Sequence, residues 1–227
     1  MKYKKIKITF LILIIIGILL GSVEEKYEEN WKRGIKKVDS DSVITQQHVY
    51  LEVIWDASGS MWGQEEGITK FIKSKEVLRD LTNNVPDKIK IGLRIFGARR
   101  VADLKDSFMA LPFSNKKNVI FNYIENVKPL GKSPIGYSLK KAREDLSERR
   151  GQKTILLVSD GLNNDKLQPL QVAEQLKSEN ITLYIVHTGE LNNKSLQTKL
   201  KDMAKKTGGK YYTYNNYKEI IPTLKQY

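Results

Sequence analysis

The sequence predicts an α/β fold, a mainly parallel sheet of six strands with helices on both faces. Two observations carry this. From His48 onward, apolar runs of strand length alternate with amphipathic helical patterns, as in successive βαβ units. Strands such as Thr154-Ile155-Leu156-Leu157-Val158 are almost continuously apolar, which suits burial on both faces of a parallel sheet. A third observation bears on function. Asp56 and Asp160 each close a core strand, and in such sheets ligands bind beyond the strand C-termini, where the strand order switches.

Taken in order, the first strand spans 48–56, through the run Val49-Tyr50-Leu51-Glu52-Val53-Ile54-Trp55. A helix over 69–84 and a strand over 90–97 complete the first βαβ unit. A shorter strand candidate, 108–112, follows, ahead of helices over 116–126 and 135–148. The strand 153–160 follows, through the run Ile155-Leu156-Leu157-Val158. A helix over 168–179, a strand over 182–187 and a helix over 195–207 continue the alternation. The last strand, 210–214, carries Tyr211, Tyr212 and Tyr214, a spacing that a sheet edge accounts for without any function. A helix over 217–225 closes the chain. No internal repeat or low-complexity tract interrupts this order.

The segment before His48 reads differently. Lys2, Lys4, Lys5 and Lys7 precede an uncharged, mostly apolar run from Ile8 to Val23. That run is longer than a signal-peptide core of roughly 7–15 residues and shorter than the roughly 20 that span a bilayer comfortably. Gly21 and Ser22 suit cleavage, whereas Leu19 and Leu20 make a poor approach to it, so the balance favours an uncleaved anchor over a removed signal. In either case the basic flank stays inside and the remainder is exported, to the outer face of the cell membrane or beyond. Residues 24–46 are charged, with few apolar anchors, and read as a stalk; 47–227 form the domain.

Composition narrows the function classes. With 40% hydrophobic residues the chain can build a core without staples. Cysteine is absent, which excludes disulfides, thiolate metal sites and thiol nucleophiles. Two histidines, His48 and His187, argue against a His-based zinc site. Net charge is +13, and setting aside the four N-terminal lysines leaves +9 for the exported part. That favours anionic surfaces or acidic partners, although lysine-rich helix surfaces explain it as well. No basic patch interleaved with aromatics argues for nucleic acid.

Chemistry concentrates in three separated segments. The first is Asp56-Ala57-Ser58-Gly59-Ser60, a carboxylate and two hydroxyls at alternating positions where a buried strand ends. The second is Leu130-Gly131-Lys132-Ser133-Pro134-Ile135-Gly136, with the Ser133 hydroxyl just ahead of a helix. The third is Val158-Ser159-Asp160-Gly161. Together Asp56, Ser58, Ser60, Ser133 and Asp160 form an oxygen-only donor set, which suits Mg²⁺ first, with Mn²⁺ or Ca²⁺ as alternatives. Two aspartates balance a doubly charged ion and leave a neutral site that still accepts an anion.

The combination Asp56-x-Ser58-x-Ser60, Gly131-x-Ser133-Pro134-x-Gly136 and Ser159-Asp160-Gly161 resembles the von Willebrand factor type A domain, over residues 47–215 and in the family's order and spacing. The stretches Asp56 to Gly63 and Thr207-Gly208-Gly209-Lys210-Tyr211-Tyr212 further resemble bacterial secreted members. The resemblance implies a doubly wound, Rossmann-like sheet with one antiparallel edge strand. It also implies a metal-ion-dependent adhesion site at the top. There Ser58, Ser60 and Ser133 would bind the metal directly, Asp56 and Asp160 would act largely through water, and an acidic residue of a protein partner would complete the shell. Such domains are generally binding modules and not catalysts. Two departures stand out: serine at position 133, where the family usually has threonine, and the lack of cysteines that similar bacterial members carry.

Rival readings use the same residues. Asp56, Ser58 and Ser60 also suit a turn that caps a helix. Gly131-Lys132-Ser133 mimics the end of a phosphate loop, but that pattern needs glycine at position 126, which is Asn126, so nucleotide binding is rejected. His187 lacks a G-x-S-x-G serine to serve. Met61 and Trp62 follow the first loop and are candidates either for lining the partner surface or for packing the loop down. Two functional alternatives remain open: a metal-assisted phosphoester hydrolase, for which Glu65 and Glu66 are the nearest bases, and an envelope scaffold that binds without metal.

Overall fold

The structure, a computed structural model, describes residues 48–227. The expected leader or anchor over 1–23 and the stalk over 24–46 lie outside the described residues. Among those described, no helix is long and apolar enough to cross a membrane.

Strand β1 (Val49–Asp56) is buried at every position. Side chains alternate across a strand, so Leu51, Val53 and Trp55 join one apolar cluster while Tyr50 and Ile54 join the other. A 3₁₀ turn (Gly59–Trp62) and a short ribbon, β2 (Gln64–Glu65) paired with β3 (Ile68–Thr69), lead into α1 (Lys70–Asn84). The Thr69 hydroxyl accepts from the Ile72 amide at 3.2 Å and caps that helix. Next come β4 (Ile89–Phe96), β5 (Ser107–Ser114), α2 (Lys117–Ile124) and α3 (Ile135–Ser147). The chain continues through β6 (Gln152–Ser159), α4 (Pro169–Ser178), β7 (Ile181–His187) and α5 (Lys194–Lys206). It ends with β8 (Tyr211–Thr213), a 3₁₀ turn (Tyr217–Glu219) and α6 (Ile220–Lys225).

The six-stranded sheet runs β5-β4-β1-β6-β7-β8, parallel except for β5, which pairs antiparallel with β4. This is the expected doubly wound arrangement. One face carries Leu51, Val53, Trp55, Leu93 and Val158 against Val77, Leu78 and Leu81 of α1 and Ile220 of α6. The other carries Ile155, Leu157, Leu183 and Ile185 against Leu139, Val172 and Leu200 of α3, α4 and α5. Removing one such side chain, as in Leu157→Ala, costs about 2–5 kcal/mol.

Register sets the site. Asp56 lies opposite Phe96, and Trp55 opposite Val158, so β1, β4 and β6 end level with one another. The switch in strand order falls at β1, with β4 on one side and β6 on the other, the place where sheets of this kind bind ligands beyond the strand ends.

Several boundaries differ from expectation. β5 runs to Ser114, past Pro112, because an edge strand needs no amide on its outer side. The closing helix splits into a 3₁₀ turn and a short α-helix that takes Pro222 in its first turn. The ribbon β2–β3 was not anticipated: two-residue strands are too short to show a period. Its signal was the loop itself, Glu66-Gly67, where both residues take positive φ (53° and 79°) as a tight hairpin requires.

Candidate metal centre

The Asp56 carboxylate is fully buried at the end of β1, and each of its oxygens is claimed. Oδ1 accepts from the Ser58 amide at 2.8 Å and from Ser58 Oγ at 2.6 Å. Oδ2 accepts from Ser159 Oγ at 2.5 Å and, more weakly, from Ser133 Oγ at 3.5 Å. Ser58 Oγ and Ser60 Oγ stand 3.1 Å apart. Ser58 and Ser133 spend their hydroxyl hydrogens on Asp56, so Ser60 is the donor to Ser58 Oγ, and each hydroxyl oxygen keeps a lone pair for a cation. The carboxyl is nonetheless pushed up to about 7, first by burial and then by the like charge of Asp160, against the lowering effect of the Ser159 and Ser58 bonds.

Backbone contacts lock the second loop beside the first. The Gly59 amide donates to Gly131 O at 2.9 Å, and the Gly131 amide to Gly97 O at 2.7 Å. Gly97, at φ +71°, ends β4 and lets these strands of chain touch: a Cβ there would lie 2.6 Å from Lys132 O and 2.8 Å from Ser58 Cα. Helix α3 begins after Pro134, which offers no capping side chain, so its first amides need acceptors from elsewhere. Asn163 Oδ1 takes the Ile135 and Gly136 amides at 3.0 and 3.3 Å, and Asp165 Oδ2 takes that of Tyr137 at 2.8 Å. Asn164 Oδ1 accepts from the Ser133 amide at 3.0 Å. The third loop therefore holds the second.

Asp160 is buried, with Oδ1 accepting from the Leu162 amide at 3.2 Å and Oδ2 lying 3.2 Å from Lys70 Nζ. His187, also buried, meets Asp160 O through Nε2 at 3.0 Å and Tyr211 OH through Nδ1 at 2.8 Å. Burial lowers its pKa, which leaves a neutral, structural ring.

The five predicted residues gather on one rim, and their chemistry fits a hard cation. All donors are oxygen. Two ligands side by side in an octahedral shell of radius ~2.1 Å stand ~3.0 Å apart, close to the 3.1 Å between Ser58 and Ser60. Among the described residues no three His, Cys, Asp or Glu side chains cluster as a metal group, so hydroxyls supply the rest of this set.

Sequence reading missed four contributors. Ser159 belongs to the third segment but not to the predicted donor set, and its hydroxyl donates to Asp56. Asn163, Asn164 and Asp165 were passed over, though a proline opening α3 with no capping side chain was a signal that acceptors were needed from outside.

One expectation is corrected. Met61 does not face a partner: it is fully buried, with its sulfur 4.0 Å from Thr188 Oγ1, because the 3₁₀ turn directs it into the core. Trp62 is 54% exposed and is fixed by its indole N–H, which donates to Pro129 O at 3.0 Å. Of the candidate bases, Glu65 pairs with Lys73 at 2.8 Å and Glu66 sits exposed at the hairpin tip.

Comparison with known proteins agrees with this fold. The family described as "von Willebrand factor type A domain" matches residues 51–226. The Bacillus subtilis (strain 168) protein YwmC, described as uncharacterized, is 22% identical over 223 residues, covering 93% of this chain and 92% of its own. Among solved structures, an aerotolerance-related membrane protein of Bacteroides fragilis superposes with TM-score 0.64 at 18% identity, over 78% of this chain and 97% of its own. The manganese-loaded TRAP protein of Plasmodium vivax superposes with TM-score 0.59 at 19% identity, over 80% of this chain and 73% of its own.

Proposed function

This chain belongs to the von Willebrand factor type A domain family, and from that premise we propose that it is an exported module that binds a protein partner through a divalent cation. Domains of this family are typically protein-interaction modules. In this reading Ser58, Ser60 and Ser133 hold the cation, Mg²⁺ in the first instance, while Asp56 and Asp160 balance its charge. When bound, the cation supplies a Lewis-acidic point that takes a carboxylate oxygen from an acidic residue of the partner. The domain sits outside the cell membrane on a single N-terminal anchor, as the lysine-flanked apolar run before the stalk suggests.

One observation carries the proposal: three hydroxyls from two distant loops are arranged about one buried aspartate, with two of the oxygens at the separation of neighbouring ligands. The manganese-loaded state of the Plasmodium vivax neighbour supports the choice of a divalent ion.

Ser60→Ala is the cleanest probe, since its hydroxyl contacts only Ser58 Oγ among side chains. Calorimetric titration with Mg²⁺ should give binding for the wild type and a loss of about tenfold or more for the variant, with the circular dichroism spectrum unchanged. Equal affinity in the two proteins would remove Ser60 from the site. Capture of envelope proteins by the immobilised domain should be abolished by EDTA; capture that survives chelation would favour the metal-independent scaffold.

A further inference from the structure

Lys70 opens α1 beside the candidate centre, and it is not a free surface lysine. Its side chain is only 13% exposed, and its ammonium lies 3.2 Å from Asp160 Oδ2, on a side chain with no exposure at all. The backbone holds it there: the Lys70 amide donates to Gly63 O at 2.9 Å. Gly63 also leaves the passage for the stem, since a Cβ on it would lie 3.2 Å from Lys70 Cε. The next lysine along the same helix face, Lys73, is occupied by Glu65 at 2.8 Å, so each ammonium has its own carboxylate. A mostly buried ammonium needs such a partner, and the partner of Lys70 is one of the two aspartates of the donor set.

Resting on the reading that this set holds a cation, the geometry points to Lys70 as a built-in counter-charge that sets how tightly the centre takes a divalent ion. The ion and the ammonium draw on the same carboxylate and repel each other. Two ionised aspartates neutralise a doubly charged ion; with Lys70 alongside, the loaded centre carries one net positive charge. The lysine therefore weakens cation binding and biases the loaded centre toward an anionic ligand.

The test compares wild type, Lys70→Met, which keeps the stem and loses the charge, and Lys70→Arg, which keeps the charge. Mg²⁺ affinity is read by calorimetry, and the melting temperature is read in EDTA and in excess Mg²⁺. Removing a unit charge a few ångströms from a divalent ion at the edge of a protein should tighten Mg²⁺ binding roughly 10- to 100-fold, with Lys70→Arg close to wild type. In EDTA, Lys70→Met should melt below wild type, because Asp56 and Asp160 then face each other without a cation, and its gain on adding Mg²⁺ should exceed that of wild type. A merely structural salt bridge would lower the melting temperature and leave affinity unchanged or weaker, and that result overturns the inference while the cation site stands. Absence of Mg²⁺ binding by both wild type and Lys70→Met would sink the site itself, and the role of Lys70 with it.

Discussion

Asp56 is asked to be both buried and ionised, and the residues around it show how that conflict is managed. Two hydroxyls, of Ser159 and Ser58, and the Ser58 amide favour its charged form, while burial and Asp160 oppose it. Glu52 shows the same conflict without such help. It lies buried in β1, facing Arg94 at 2.8 Å, but Arg94 also pairs with Asp145, so one guanidinium serves two carboxylates. Burial pushes Glu52 up to about 8. In the unfolded chain it titrates near 4.5; between these values the folded protein keeps a proton that the unfolded chain has lost. Stability should therefore fall as pH rises across that window, by at most ~1.4 kcal/mol per pH unit from this group. Urea denaturation from pH 5 to 8 should show the decline in wild type and a flatter profile for Glu52→Gln; an identical slope would mean that Glu52 is ionised in the native state. Gly97 raises a different matter, one of space. Gly97→Ala would combine a left-handed backbone with a collision against Lys132 O and Ser58 Cα. It should cost about 1–2 kcal/mol or more by denaturation and weaken Mg²⁺ binding in parallel.

The elements show how far the sequence could be read. The four interior strands, β1, β4, β6 and β7, are legible because burial on two faces leaves no alternative to an apolar run, and Asp56 and Asp160 could be placed because each ends such a run. β5 runs two residues past the expected end at Pro112, whose missing amide does not matter because no strand pairs on the outer side. The three motif segments were legible as donors, since hydroxyls and carboxylates at strand ends have few other roles in that combination. Their supports were not, because the contacts between Asn163 and α3, or between Lys70 and Asp160, depend on tertiary proximity that no local pattern encodes. Met61 was ambiguous for the same reason: the side chain beside a loop goes inward or outward according to the turn, and the 3₁₀ turn sends it in. The clamp on α3 is testable. Asn163→Ala should remove the acceptor of two helix amides, lower stability by about 1–2 kcal/mol, and reduce Mg²⁺ affinity through displacement of Ser133. If stability fell with affinity intact, the clamp would serve the helix alone.

At the scale of the molecule, binding and folding are linked. The candidate donor set joins Asp56 to Ser133, 77 positions away, and Asp56 is braced by Ser159, 103 positions away, so the set exists only in the folded chain. A cation that binds the native state alone stabilises it by about 2.7 kcal/mol at a hundred times its dissociation constant, worth roughly 5–10 °C in melting temperature for a domain of this size. Scanning calorimetry with Mg²⁺ and then EDTA should show that rise and its reversal, and an unmoved transition would argue against the site.

The borders of the sheet carry a last consequence. β8 is three residues long, and β5 is interrupted by register shifts beside Leu93 and bears an exposed proline. Neither flank presents the straight ladder of unpaired amides and carbonyls on which foreign strands zip up. Pairing of copies through these two flanks should therefore be disfavoured, and light scattering of the concentrated domain should show no fibre growth.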